Sequence, residues 1–120
     1  KRMEENDIAC RVFNPIIPVL SVFMNNRDHR KITVIDGKVG FTGGYNLANE
    51  YFNITHPYGH WKDTGIRLEG DAVKSLTVMF LEMWNAVKKT DQDYQKYLPE
   101  TDYQAKQDGF IQAVCGQSVR

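Results

Sequence analysis

Cysteine is nearly absent from this chain: Cys10 and Cys115 are the only two among 120 residues. Two thiols so far apart make neither a disulfide framework nor a zinc site, and both are expected as packed, reduced side chains. Excess charge of either sign is also missing. Fifteen Lys and Arg balance fifteen Asp and Glu, so the chain lacks the basic field that holds nucleic acid non-specifically. Long apolar runs are missing too. The longest, Ile16 to Met24, is broken by Pro18 and Ser21 and falls short of the ~18–20 residues of a membrane-spanning helix. No signal peptide, internal repeat or low-complexity tract is visible. What is present is ordinary globular composition, 42% apolar and 25% charged, with enough aromatic residues to fill the core of one domain.

Against that background one stretch stands out. Asn25-Asn26-Arg27-Asp28-His29-Arg30-Lys31 runs into the β-branched segment Ile32-Thr33-Val34-Ile35 and then Asp36-Gly37. On a strand, residues i and i+2 share a face, so His29 and Lys31 project together with Thr33 and Ile35. Arg30, Ile32, Val34 and Asp36 take the other face. Asp36-Gly37 supplies tight-turn chemistry, and a returning strand from Lys38 to Thr42 completes a hairpin spanning His29 to Thr42. It ends in Gly43-Gly44, where missing side chains let a ligand approach the backbone. Asn46, expected at the start of a short helix, offers an amide to an anion. An imidazole, an ammonium and an amide thus converge where a phosphodiester fits.

Along the rest of the chain, Lys1 to Asn6 reads as the tail of a helix and Ile8 to Phe13 as a short buried strand. Asn14-Pro15 and Pro18 force an irregular connection. Asn46 to Phe52 suits two helical turns, and Asn53 to His60 is a surface loop in which His56 and His60 are expected to be solvated. Tyr58 and Trp61 are open to two readings, contact with lipid or packing under the loop. Trp61 to Gly70 reads as a strand. Asp71 is a good N-cap for a helix whose face Val73, Leu76, Phe80, Trp84 and Val87 covers a sheet. Thr90 to Gly109 is a polar linker, and 110–116 a closing strand. The expected fold is α/β, a mixed β-sheet flanked by helices, with its core at about residues 7–89. A terminal strand with nothing after it suggests a piece of a longer protein.

His29-Arg30-Lys31 with Asp36 spells H-x-K-x4-D, and Gly43-Gly44-Tyr45-Asn46 stands where a G-G/S-x-N extension belongs. With the flanks Asn26 to Lys31, Phe41 to Asn46 and Trp61-Lys62-Asp63-Thr64, the chain resembles the phospholipase D superfamily. More narrowly, it resembles the first catalytic half of a bacterial cardiolipin synthase. The resemblance implies a phospholipase D-like half-domain holding half of a two-motif site. The other half comes from the same longer chain or from a second copy.

It also implies a chemistry. His29, or its counterpart in the other half, attacks phosphorus to form a phosphohistidine, and the remaining histidine handles the protons. Lys31, Asn46 and the backbone at Gly44 hold the phosphate oxygens. Asp63 is the candidate carboxylate that orients His29. Asp36 belongs to the motif, but parity assigns it a turn or salt-bridge role. No metal and no cofactor are implied. The substrate implied is phosphatidylglycerol, two molecules giving cardiolipin and glycerol at the bacterial membrane, with the isolated half inactive. The competing reading is a homodimeric nuclease with one motif per chain. Arg27 and Arg30 suit either anionic lipid or a surface ion pair.

Overall fold

The computed structural model describes residues 2–13, 28–90, 93–104 and 111. The segment through Pro15 and Pro18, Arg27, Cys115 and the expected closing strand apart from Ile111 lie outside the described residues.

Three strands form one antiparallel sheet in the order β1-β2-β3: β1 (Ile32–Ile35), β2 (Val39–Gly43) and β3 (Gly65–Glu69). Every pairing is antiparallel, so the mixed sheet expected from the sequence is corrected among the described residues. The β1–β2 turn forms as its sequence dictates. Asp36 and Gly37 both take positive φ, 52° and 66°, and the Lys38 amide donates to the Ile35 carbonyl at 3.0 Å. Two successive positive φ values are the mark of a type I′ turn, whose twist matches that of the strands. The paired strand begins at Ile32 rather than His29, leaving the histidine on the extended segment that leads into it.

The α-helix α1 (Ala72–Val87) crosses one face of the sheet. Val73, Leu76 and Leu68 form the buried core, with Ile32 and Val34 packed against it. Gly40 makes the close approach possible, since a β-carbon there would meet Leu76 Cδ1 at 2.8 Å. The buried helix face is Val73, Leu76, Thr77 and Leu81, rotated from the stripe expected. Phe80 and Val87 stay 47% and 39% exposed. Geometry explains this: sixteen helical residues span roughly 24 Å, whereas strands of four or five residues span about 15 Å. The second half of α1 therefore overhangs the sheet. Buried Thr77 is satisfied by donating to the Val73 carbonyl at 2.9 Å. Asp71 does not cap through its side chain; its carboxylate pairs with Lys74 at 2.8 Å.

Several local expectations are corrected. Ile8 to Phe13 forms no strand, and Ile8 and Val12 are exposed. This segment is tied down by Arg11 instead. The Arg11 guanidinium lies 3.9 Å over the Trp84 ring and donates to the carbonyls of Trp84 and Lys88 and to Thr90 Oγ1. The Trp84 carbonyl also accepts from the Lys88 amide at 3.5 Å, and a cation belongs at this helix C-terminus. Glu4–Asn6 is a single 3₁₀ turn. Residues 47–53 make turns rather than helix, with hydrogen bonds such as Tyr51 N to Ala48 O that span three residues. The polar segment expected as a linker is only weakly helical over its described part, 93–104. It carries a 3₁₀ turn at Gln95–Tyr97 and lies against the sheet, Pro99 on Gly37 and Tyr103 on Gly70.

Candidate phosphate-handling site

The antiparallel order brings three chain ends to one end of the sheet: the lead-in to β1, the exit from β2 and the lead-in to β3. Ile32 pairs with Thr42, and Gly43 with Gly65. His29 and Lys31, Gly44 to Asn46, and Asp63 are therefore neighbours by topology, although 34 sequence positions separate His29 from Asp63.

At the lead-in to β1, Lys31 folds back onto His29. Its Nζ stands 3.0 Å from His29 Nδ1 and 2.9 Å from Nε2, and it donates to the His29 carbonyl at 2.7 Å. The ammonium thus lies against the imidazole, close to both ring nitrogens. His29 is exposed and Lys31 half-buried. Before them Asp28 clamps Arg30. Its carboxylate accepts from the Arg30 amide at 3.0 Å, from Nε at 2.9 Å and from Nη2 at 3.0 Å. The Arg30 side-chain hydrogen bonds hold the Asp28 carboxyl below its usual pKa, against a smaller opposing effect of burial. Arg30 is thus engaged in an ion pair.

At the exit from β2, the Gly44 amide donates to the Thr64 carbonyl at 3.1 Å. A β-carbon on Gly44 would collide with Asp63 Oδ1. Asp63 accepts from the Thr64 amide at 2.7 Å and from the Trp61 indole at 3.3 Å. Among the described residues no hydrogen bond joins Asp63 to His29; the His29 ring meets Lys31 instead. The half-buried Asn46 amide has no hydrogen-bond partner among the described residues. It also does not start a helix, so the anion site expected from a helix N-terminus is absent there.

Asp36 sits in the turn at the opposite end of the sheet. Five extended steps separate it from Lys31, on the order of 15 Å, too far for both to touch one phosphate. It lines a cleft of about 610 Å³ with Val34, Phe80, Trp84 and Tyr97, on the side of the sheet that α1 covers.

Sequence reasoning missed the supports around the site. Asn53 clamps the loop 54–60 by accepting from the Trp61 amide at 2.7 Å and donating to the Trp61 carbonyl at 2.8 Å. Trp61 packs on Tyr51 with ring centroids 4.7 Å apart. Tyr58 is 82% exposed, so packing under the loop does not hold for it. His56 and His60 are exposed, their centroids 6.4 Å apart. Tyr45 folds over Gly43 and Gly65. The β2–β3 register, which sets Gly43 opposite Gly65, fixes the last of these contacts, and no local signal in the sequence encodes it.

Among the described residues there is no cluster of three or more His, Cys, Asp or Glu set to hold a metal, and no helix long and apolar enough to cross a membrane.

Comparison with known proteins shows what the chain is similar to. It is 47% identical over 111 residues to an uncharacterized protein of Streptococcus mutans, a match covering 92% of the chain and 24% of that protein. It is 42% identical over 88 residues to cardiolipin synthase 2 of Staphylococcus epidermidis, and 41% identical to a cardiolipin synthase of Staphylococcus aureus. Each of those matches covers 72% of the chain and 18% of the relative. The chain thus spans about a fifth to a quarter of the length of the relatives it matches. No family model and no solved structure matches it. The resemblance to cardiolipin synthase, and through it to the phospholipase D superfamily, therefore stands on sequence relatives as well as on the motif.

Proposed function

From this resemblance to cardiolipin synthases we propose that the chain is the first catalytic half of a phospholipase D-type phosphatidyltransferase acting on phosphatidylglycerol at the bacterial membrane. A second motif-bearing half completes the site. The observation that supports this reading is the convergence of His29, Lys31, Gly44 and Asn46 on one end of the sheet. The chain's relatives make the transferase reading more specific than phosphodiester chemistry in general.

In the reaction, an unprotonated His29 nitrogen attacks the phosphorus of one phosphatidylglycerol. A nitrogen–phosphorus bond forms, the bond to the headgroup glycerol oxygen breaks, and the opposing half's histidine gives that oxygen a proton. The headgroup hydroxyl of a second phosphatidylglycerol then attacks phosphorus and returns its proton to the same base. The nitrogen–phosphorus bond breaks and cardiolipin leaves. Lys31 and the Asn46 amide stabilise charge on the non-bridging oxygens. Lys31 already touches the His29 ring, so a phosphoryl group on His29 would form within its reach. Asp63 fixes the backbone at Gly44. One motif gives half of this machinery, and the isolated chain is expected to be inactive.

The test is labelled phosphatidylglycerol given to a membrane preparation of the two-motif parent. Expected products are cardiolipin and glycerol. His29→Ala is expected to abolish both while leaving this chain's thermal unfolding within a few degrees of wild type, since His29 is exposed and the polar contacts of its ring are to Lys31 alone among the described residues. Phosphatidic acid as the sole product would overturn transfer, and retained activity in His29→Ala would overturn the assignment of the nucleophile.

A further inference from the structure

Gly43 and Gly65 lie directly opposite each other on β2 and β3. Gly40 and Leu68, paired with each other, face α1. By alternation Gly43 and Gly65 therefore point to the other face of the sheet, which no helix covers among the described residues. The Tyr45 ring occupies that space. A β-carbon on Gly43 would meet Tyr45 Cε1 at 2.7 Å, and one on Gly65 would collide with the same ring atom. Two cross-strand glycines thus form a seat for one aromatic ring. Alternation through Thr33 puts Lys31 on this same face. In sequence Tyr45 stands between Gly44 and Asn46, the two motif positions that meet a phosphate in the proposed reaction. The ring is backed by glycine backbone yet remains half-exposed. It forms an apolar wall at the rim of a polar site.

We infer that Tyr45 is a specificity-determining residue. Its ring is the surface against which the glyceryl portion of the acceptor lipid rests, and it keeps water from the phosphohistidine. This rests on the transferase reading above. Water and a lipid hydroxyl are rival nucleophiles for one phosphorus, and bulk water has the advantage of concentration. A transferase needs an apolar surface beside the phosphoryl group that a glyceryl chain covers better than water does. Polar groups such as Lys31 and Asn46 hold phosphate equally for both acceptors and do not discriminate between them. Tyr45 is positioned to do so.

The experiment measures the ratio of cardiolipin to phosphatidic acid formed by the two-motif parent from phosphatidylglycerol vesicles. Tyr45→Ala is expected to lower that ratio about tenfold or more, the scale of selectivity that one apolar contact supplies. Tyr45→Phe is expected to keep it, because the ring and not the hydroxyl is the wall. Gly65→Ala moves the ring without changing it and is expected to shift the ratio in the same direction as Tyr45→Ala. Circular dichroism melts check that each variant folds; if Gly65→Ala does not, the two Tyr45 variants decide the matter. An unchanged ratio in Tyr45→Ala, or an equal loss in Tyr45→Phe, overturns the inference while leaving the transferase reading intact. A wild-type parent that makes neither product overturns both.

Discussion

The Asp63 carboxylate occupies the place where any side chain on Gly44 would stand. The acid is held there by the Thr64 amide and the Trp61 indole, and Gly44 by its hydrogen bond to the Thr64 carbonyl. The motif glycine and the carboxylate 19 positions later are two parts of one fitted contact.

Gly44→Ala is accordingly expected to destabilise the chain by about 1 kcal/mol or less, since the exposed Asp63 carboxylate can turn aside at the cost of its hydrogen bonds. Asp63→Ala removes the obstructing oxygens. The double variant Gly44→Ala/Asp63→Ala should be more stable than the sum of the single effects predicts, by about 0.5 kcal/mol. Urea unfolding of the four proteins gives this coupling energy; strict additivity would refute the contact.

Arg11 joins the N-terminal segment to the end of α1 through ring stacking and three hydrogen bonds. Arg11→Ala should cost about 1–2 kcal/mol, combining the loss of cation–π stacking with that of charge-assisted bonds to helix carbonyls. Arg11→Lys should recover little, since an ammonium cannot stack flat and reach divergent acceptors together. Thermal melts of the three proteins decide it, and full recovery in the lysine variant would reduce the interaction to charge alone.

The Asp28–Arg30 clamp predicts a pH dependence of known sign. Arg30 lowers the folded-state pKa of Asp28 below that of the unfolded chain. The clamp's contribution is therefore fully present above the unfolded value of about 4. It is lost as pH falls through the lower, folded value. With the Arg30 and Asp28 side chains 33% and 25% exposed, solvent screening limits it to about 0.5 kcal/mol. The stability gap between wild type and Asp28→Asn should be small at pH 6 and vanish in strong acid. A gap that widens on acidification would contradict the ion pair.

Features written into short stretches of sequence were legible. The Asp36-Gly37 turn needs two successive positive φ values, and that residue pair tolerates them. α1 announces itself by helical spacing. His29, Lys31 and Gly44 to Asn46 could be placed at one end of the sheet because a hairpin returns the chain to its start, with Asp36 left in the turn at the other end. Features that depend on what packs where were not legible. Ile8 to Phe13 has strand-like alternation, but no strand pairs with it among the described residues, and Arg11 finds a helix end instead. Phe80 and Val87 have the spacing of a buried face, but the sheet is too short to cover them. Asn46 to Phe52 settles into turns around a loop that Asn53 closes. Gly65 gives no hint of its role until the register places Gly43 opposite it.

The Arg11 contact also sets an order of events in folding. Its partner Trp84 is 73 positions away, whereas β1 and β2 are joined by a three-residue turn. Closing the short loop costs far less chain entropy than closing the long one, and local pairings form first. The hairpin is therefore the early nucleus, α1 lays its Val73 and Leu76 face on it, and the N-terminal segment docks only when the end of α1 exists to receive it. Hydrogen exchange should accordingly protect the β1–β2 amides longest, while residues around Arg11 open first and close last.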